Sequence, residues 1–505
     1  MKELLTLLLM VAMITCRMAF AQSSSPDKNH ANIWYFGLPG TAVTGYPGLD
    51  FSSGTPVVLT NGKGGGGGIS TSCDAQGNLQ LYVVARNQSG FILNANHDTL
   101  HNSQNMFYVP LFSGALYGHT QRFLIVPNPL GNGLVYLFTS GAKGDTATFE
   151  YSVIDMNQQG SLGSVIEKNH FLYFQPTGKL TAVHHANCND IWVVSHAGNS
   201  NDFYAYLVTD SGVAPNPVVS SAGEVLNIQQ GYGGDMKLSP NGKNIAFVSK
   251  TFRVIQLFDF DNHTGIVSNS ITLPSQSLSE NSLSFSPDGT KLYISNAGGS
   301  GEPGKIVQYD VSLGDSALIV SSAVLIEETD IGVHYGFFGM EIGLDGKIYI
   351  AKFASSPLID SLAVIHNPNA SGAVCNFQLH AVGLQSRRSG QTLNNLIQSY
   401  FNQDSSAYKC FTGTGDELIE INAPIRVSPN PFSDKIVVSF SQLVNNCHVI
   451  LYDASGKVLI NKKESQVISI ELSGLQLPDG MYILKIQGEN LFYTCKLLSI
   501  HSLKN

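Results

Sequence analysis

The sequence predicts an all-β protein in two parts: a closed ring of about seven four-stranded blades, then a small antiparallel β-sandwich. Three observations carry the prediction. The 505 residues include 50 Gly, 26 Phe and 20 Tyr, and only 13% are charged. Glycine supplies tight turns, and aromatics fill pleated surfaces. A unit of strand, Asn-Gly or Asp-Gly turn and second apolar strand recurs along the chain. Long stretches with 3.6-residue periodicity are absent, and Gly and Pro interrupt throughout.

The elements follow in chain order. Residues 1–21 read as a signal peptide, with Lys2, an apolar run from Leu4 to Thr15, and Ala19-Phe20-Ala21 before a cleavage point at Gln22. Ala19 and Ala21 give the small-x-small pattern that the peptidase reads. A lipid anchor on Cys16 would need small residues before it, which Met13-Ile14-Thr15 does not provide. The run is too short to span a bilayer and no later stretch approaches that length, so no transmembrane segment is expected.

Residues 22–401 form the ring. The clearest units begin at Met236, Leu283 and Glu341 and turn at Asn241-Gly242, Asp288-Gly289 and Asp345-Gly346. Both central residues of each turn are expected at positive φ. The turns lie 47 and 57 residues apart, near the ~40–50 residues of a propeller blade. Residues 254–261 and 305–311 add a third strand, and 266–273 and 317–326 a fourth β-rich segment. Less regular units at 73–84, 122–155 and 181–209 bring the count to six. The seventh is assembled from both ends, 33–36 and 55–59 with 393–401, which closes the β-propeller and removes open sheet edges.

Residues 402–424 are polar and read as a linker. In 425–505, runs at 436–440, 448–452, 458–461, 467–472, 481–487 and 491–498 are separated by turns at 453–456 and 478–480. They predict a compact, Ig-like antiparallel sandwich.

Two resemblances follow from these residues. Val427-Ser-Pro429-Asn430-Pro431-Phe432, Leu451-Tyr-Asp-Ala-Ser-Gly456-Lys-Val458, 472–475, Gly480-Met-Tyr482, Lys485 and Lys496-Leu497 stand in the order of a type A sorting domain of type IX secretion, and the segment resembles one. The resemblance implies that Pro429, Asn430, Pro431, Gly456, Gly480, Tyr482, Lys485 and Lys496 form the sorting motif. It also implies handling by the type IX secretion machinery and passage through the periplasm to the outer cell surface or beyond. The ring, through Ile33-Trp-Tyr-Phe-Gly37, Gly48-Leu-Asp-Phe51, Leu180-Thr-Ala-Val-His-His-Ala-Asn187 and Asp190-Ile-Trp-Val193, resembles secreted propellers with WD- or kelch-like repeats found beside such domains. That resemblance implies fold and location and supplies no chemistry.

Candidate sites each have a plainer reading. Gly64–Gly68 is followed by Ile69-Ser-Thr-Ser rather than Gly-Lys-Ser/Thr and a helix, so it reads as a loop and not a phosphate cradle. Asp259-Phe-Asp261-Asn262 starts like a calcium loop, but Thr264 and Ser270 stand where Gly and Glu are required. His184 and His185 are adjacent on a strand and point to opposite faces. Trp34 and Trp192 read as packing residues. Cys447 and Cys495 share the small domain and are the first candidate disulfide, with buried free thiols as the competing expectation. Ligand loops are sought at His119, 199–202, 231–235, 298–304 and 334–338.

The net charge of −9 argues against a nucleic-acid partner, which would need a basic stripe. No motif calls for a cofactor or metal, and common hydrolase signatures are missing. The expected role is an extracellular binding or interaction module for a glycan or protein. The competing reading is a propeller lactonase, lyase or glycosidase with its site at the channel mouth.

Overall fold

The computed structural model describes residues 27–404 and 425–499 except for short internal stretches, the longest of them 107–120. The chain divides into two compact units, Met1–Thr412 and Gly413–Asn505.

Among the described residues, seven antiparallel sheets follow one another in the first unit. The first holds β1 (Ile33–Tyr35), β2 (Tyr46–Asp50) and β3 (Val57–Gly62), and the second β4 (Ser70–Cys73), β5 (Leu79–Arg86) and β6 (Ser89–Asn94). The third holds β7 (Phe123–Pro127), β8 (Leu134–Ser140), β9 (Thr148–Asp155) and β10 (Ser164–Phe174). The fourth runs β11 (Pro176–His184), β12 (Ile191–Ala197), β13 (Ser200–Thr209) and β14 (Gly212–Val213), with β15 (Val218–Leu226) also on β13. The fifth is β16 (Met236–Leu238), β17 (Asn244–Ser249), β18 (Val254–Asp261) and β19 (Ile266–Leu273). The sixth is β20 (Glu280–Phe285), β21 (Lys291–Asn296), β22 (Lys305–Asp310) and β23 (Val324–Glu328). The seventh is β24 (Tyr335–Ile342), β25 (Ile348–Ala354), β26 (Ser361–Ile365) and β27 (Phe377–Gly383).

The first strand of each sheet packs on the first strand of the next, so the sheets are blades around an axis. Strands near that axis have neighbours on both faces, and β11, β12, β20 and β21 are buried at every position. They mix apolar with polar residues, and the polar ones are held inside by hydrogen bonds such as Ser282 Oγ to Asp235 and Ser295 Oγ to Phe338 O. The ring closes between the seventh and first sheets. Trp34 and Phe51 pack on Tyr349 with ring centroids 5.8 and 5.6 Å apart, and Leu38 bridges Arg388. Gly37 (φ 71°) sits at this seam, where a Cβ would stand 2.2 Å from the Arg388 carbonyl oxygen.

Three expectations need correction. The blade expected from both chain ends is not built so: the three registered strands of the first sheet, β1 to β3, all come from the N-terminal end, and residues 393–401 go elsewhere. In the Asn-Gly and Asp-Gly turns only the glycine has positive φ, 70° to 76°. Each glycine amide bonds back three residues, to Ser239, Ser286 or Gly343. The preceding Asn or Asp side chain accepts from the amide two residues on, so these are type I-like turns stabilised by an Asx contact. Residues 317–321 belong to a helix, α1 (Ser316–Ser321), whose N-cap Asp315 accepts from the Ala317 and Leu318 amides; only Val324–Glu328 is strand.

The second unit packs a three-stranded sheet on a four-stranded one. The first is ordered β28 (Ile425–Ser428), β29 (Lys435–Val444), β32 (Val467–Ser473). The other is ordered β31 (Val458–Glu464), β30 (Cys447–Asp453), β33 (Gly480–Gly488), β34 (Leu491–Ser499). Its own core includes Ile436, Val438, Val449, Leu451, Leu484 and Ile486. Cys447 is a buried free thiol, as are Cys73 and Cys375, so the pairing of Cys447 with Cys495 is excluded. Cys188 is disulfide-bonded, its partner lying outside the described side chains.

Candidate functional site

Propeller ligands are sought on the axis, and here the chain itself occupies it. Residues 392–401 are buried at every position. Gly339 of β24 donates to the Gln391 carbonyl. Asn395 then joins three blades: its amide donates to Ile69 O at 2.8 Å, and its Nδ2 reaches Phe123 O at 3.1 Å and Leu180 O at 3.0 Å. Ser70 Oγ donates to the Asn395 carbonyl, and Asn394 Nδ2 donates to Thr71 Oγ1. Ile397 bridges Ala182 in parallel, and Ser399 Oγ accepts from the His184 amide and lies 2.7 Å from its Nδ1. A short polar-rich segment thus satisfies inner-strand groups of the second, third, fourth and seventh blades, as buried polar groups require.

Charged groups surround this segment, all of them buried. Lys237 Nζ is 2.8 Å from Glu341 Oε2, with side chains 3% and 0% exposed, and Gln398 Nε2 donates to Glu341 Oε1. Burial raises the Glu341 carboxyl pKa, and Lys237 opposes that rise. Lys179 Nζ donates to the carbonyls of Gly233, Gly234 and Val248, and burial lowers its pKa to about 8. Asp235 accepts from Ser282 Oγ and is pushed up to about 6 by burial. Its other oxygen has no protein partner, nor do Asn394 Oδ1 and Asn395 Oδ1; such oxygens suit ordered water. Among the described residues no group of three or more His, Cys, Asp or Glu could hold a metal.

The sequence-predicted residues fare unevenly. His119, Gly231, Tyr232, His334, the Gly64–Gly68 run and the cleavage residues Ala19, Ala21 and Gln22 lie outside the described residues, as does most of the 402–424 segment. Asn201 donates to Gly223 O, and Asp202 accepts from Ser221, so this loop is bonded within its own blade. Gly298 donates to Asn296 Oδ1. Asp261 closes its own turn through His263 N and Thr264 Oγ1, and Asp259 accepts from Asn269. His184 faces the axis, while His185 Nε2 meets His263 O. Trp34 and Trp192 are core residues, their indoles donating to Ala31 O and Asn262 O.

His196, on β12 of the fourth blade, meets no other histidine or carboxylate ligand set among the described residues. It is fully buried against Phe203 and Phe247, neither ring nitrogen has a hydrogen-bond partner, and burial lowers its pKa to about 3. The unfolded chain binds a proton below about 6.5 where the fold does not. The stability this group contributes is therefore present above pH 6.5 and lost as pH falls towards 3. His196→Met removes both unpaired nitrogens. Chemical denaturation is expected to show about 1–3 kcal/mol more stability at pH 7. The variant's acid-side slope should be shallower by about 1.4 kcal/mol per pH unit between pH 6 and 4. An unchanged slope would refute this account.

In the second unit the motif pieces converge on the last strand. Asn430 Oδ1 accepts from the Leu498 amide at 2.9 Å, the Phe432 amide donates to Leu498 O, and Phe432 packs on Tyr482 at 6.0 Å. The Tyr482 hydroxyl donates to Pro478 O at 2.8 Å. Pro429 is exposed, Lys485 stands opposite Ile450 and Thr494, and Lys496 opposite Ile483. Pro431 and Gly456 lie outside the described residues. Gly480 does not play the expected turn role: it opens β33 without a positive φ, and a Cβ there would meet nothing within 4 Å.

The fold and this arrangement define an exported β-propeller protein. Its residues 426–500 match the secretion system C-terminal sorting domain family, which marks proteins sent by type IX secretion to the cell surface or extracellular space. No curated protein matches the chain. Similar solved structures include Hsv2 of Kluyveromyces lactis, 10% identical over 66% of this chain and 90% of that one, TM-score 0.38. A functionally unknown protein of Desulfotomaculum acetoxidans is 11% identical over 72% and 99%, TM-score 0.38. A candidate 6-phosphogluconolactonase of Bacteroides fragilis is 13% identical over 89% and 100%, TM-score 0.36. These are distant likenesses, and the fold assignment rests on the seven sheets of this chain.

Proposed function

We propose that the ring is a binding module displayed outside the cell, and that its ligand, a glycan or a protein, is met on outward faces. The filled axis carries this reading. A lactonase, lyase or glycosidase site at the channel would need convergent side chains free to meet substrate. Here Lys237 and Glu341 are bonded to each other, with Met340 O and Gln398 as further partners, and Lys179 is bonded to three backbone carbonyls.

An outward face with the required character lies on β10. Phe171 and Phe174 are 51% and 61% exposed, with ring centroids 4.5 Å apart, and Ile166 on the same strand is also exposed. Paired exposed aromatics supply contact area at low entropic cost. Exported protein titrated against extracellular glycans and surface proteins is expected to give saturable binding. Phe171→Ser with Phe174→Ser should weaken it at least ~10-fold, the cost of one interface aromatic, with the melting temperature unchanged. Binding at full strength by the double variant would remove this face from the account, and channel-dependent hydrolysis would favour the enzyme.

A further inference from the structure

Among the described residues five lysine and arginine side chains of the ring are buried, and four of them are compensated. Lys179 rests on three carbonyls, and Lys237 on Glu341 and Met340 O. Lys291 meets Asp310, and Lys352 donates to Leu379 O, Ser361 and His380. Those acceptors hold an ammonium. Arg122 is the exception. It is 7% exposed, yet among the described residues its guanidinium has no hydrogen-bond or ion-pair partner, and burial alone acts on its charge.

A buried cation without a counter-charge is costly, so a fold that keeps one leaves room for something else to complete it. The neighbouring side chain is incomplete too. Arg122 stands just before β7, and its carbonyl accepts from the Ser140 amide at 2.9 Å, which continues the register that sets Leu124 opposite Phe138. Side chains alternate along strands, so Arg122 and Ser140 share the face that carries Leu124 and Phe138. Ser140 Oγ is buried without a hydrogen-bond partner. No nitrogen of Arg122 is sealed in that way, so the guanidinium is the part that a solute reaches first, with Ser140 behind it. Strand β11 packs on β7 and β8, which puts the pair at the seam of the third and fourth blades. Gln121 beside it is by contrast satisfied, its amide bonded both ways to Met236.

We propose that Arg122, backed by Ser140, is a binding site for the carboxylate of a small organic acid. The planar guanidinium fork matches the two oxygens of a carboxylate, and the Ser140 hydroxyl adds a further donor. A monoanion suits a chain whose net charge is −9, because a more highly charged ligand meets more repulsion on approach. The site is separate from the β10 face, so either reading stands or falls without the other.

The test titrates glucuronate into the full-length exported protein by calorimetry at low salt, with glucose as the uncharged twin. Saturable binding of glucuronate alone is expected, together with a rise in the parent's melting temperature. Arg122→Met should bind at least ~30-fold more weakly and melt no lower than the parent, since it removes an unpaired buried charge. Ser140→Ala should weaken binding about 3–10-fold, and Phe171→Ser with Phe174→Ser should leave it unchanged. Should Arg122→Met fail to fold, Arg122→Lys, which keeps the charge and loses the fork, is expected to bind about 10-fold more weakly. Absence of saturable glucuronate binding, equal binding of glucose, or parental affinity in the Arg122 variants would overturn the site. Displacement of glucuronate by an equal concentration of sulfate would overturn its assignment to carboxylates.

Discussion

A chain ending at Gly390 is expected to lose the ring, whereas one ending at Asp404 is expected to keep it. The eleven residues from Gln391 to Phe401 are few, but they touch the inner strands of four blades, and their apolar side chains Leu393, Leu396, Ile397, Tyr400 and Phe401 are all buried. At about 1.5–3 kcal/mol for each such side chain, their removal costs on the order of 10 kcal/mol. That is comparable to the whole stability of an ordinary fold. The loss would also strip partners from Thr71, His184 and Glu341 inside the protein, and unpaired buried polar groups add their own penalty. Residues 402–404 contribute further clamps: the Gln403 amide donates to Pro287 O at 2.9 Å, Asn369 Nδ2 donates to Gln403 Oε1 at 3.1 Å, and Lys243 pairs with Asp404 at 3.0 Å. Near-ultraviolet circular dichroism and thermal melting of the two truncations distinguish the outcomes. Equal cooperative melts would show that the seam between the seventh and first blades suffices and that the axial segment is only filler.

What the sequence disclosed, and what it concealed, follows from how each part is held. Hairpins such as Met236–Ser249 carry their own turn chemistry, so strand, turn and strand are legible locally. Even there the turn type was misread, because the Asn and Asp side chains support a type I-like turn that needs only the glycine at positive φ. The axial segment reads locally as part of a closing blade, and nothing in its sequence points to the axis. Its side chains are surrounded on every side, so nothing alternates, and Asn394, Asn395, Gln398 and Ser399 look polar enough for a surface loop. Their partners lie up to 325 residues away. The run Ala317-Leu-Ile-Val320 has strand propensity, and the Asp315 cap that makes it helical was overlooked. Arg122 and Ser140 form no motif, and only the register of β7 on β8 brings them together. The sorting domain was the reverse case, since its ordered motif pieces are short-range and distinctive.

The second large effect concerns export. An inert reporter placed between residues 1–26 and 425–505 is expected to leave a cell with type IX secretion as efficiently as the intact protein does. The C-terminal unit has a core of its own, so its fold does not depend on what precedes it. A signal read by an export machine must have that independence. Asn430 and Phe432 pin Leu498, and Tyr482 stands under Phe432, so the first and last strands of the unit are locked at one point. Tyr482→Ala would remove a buried ring at a cost of about 3–5 kcal/mol, a large share of what some eighty residues hold at ~0.05–0.15 kcal/mol each. Export of the reporter carrying that change should fall steeply, with the protein accumulating in the periplasm. Ile468→Ser is the matched control: the position is 61% exposed and outside the motif, so the fold and the export should be unchanged. N-terminal sequencing of the exported reporter should begin at Gln22, and a lipid-modified Cys16 would instead mean an anchored protein. Retention of the unaltered reporter, while the full protein reaches the surface, would assign part of the export signal to the propeller.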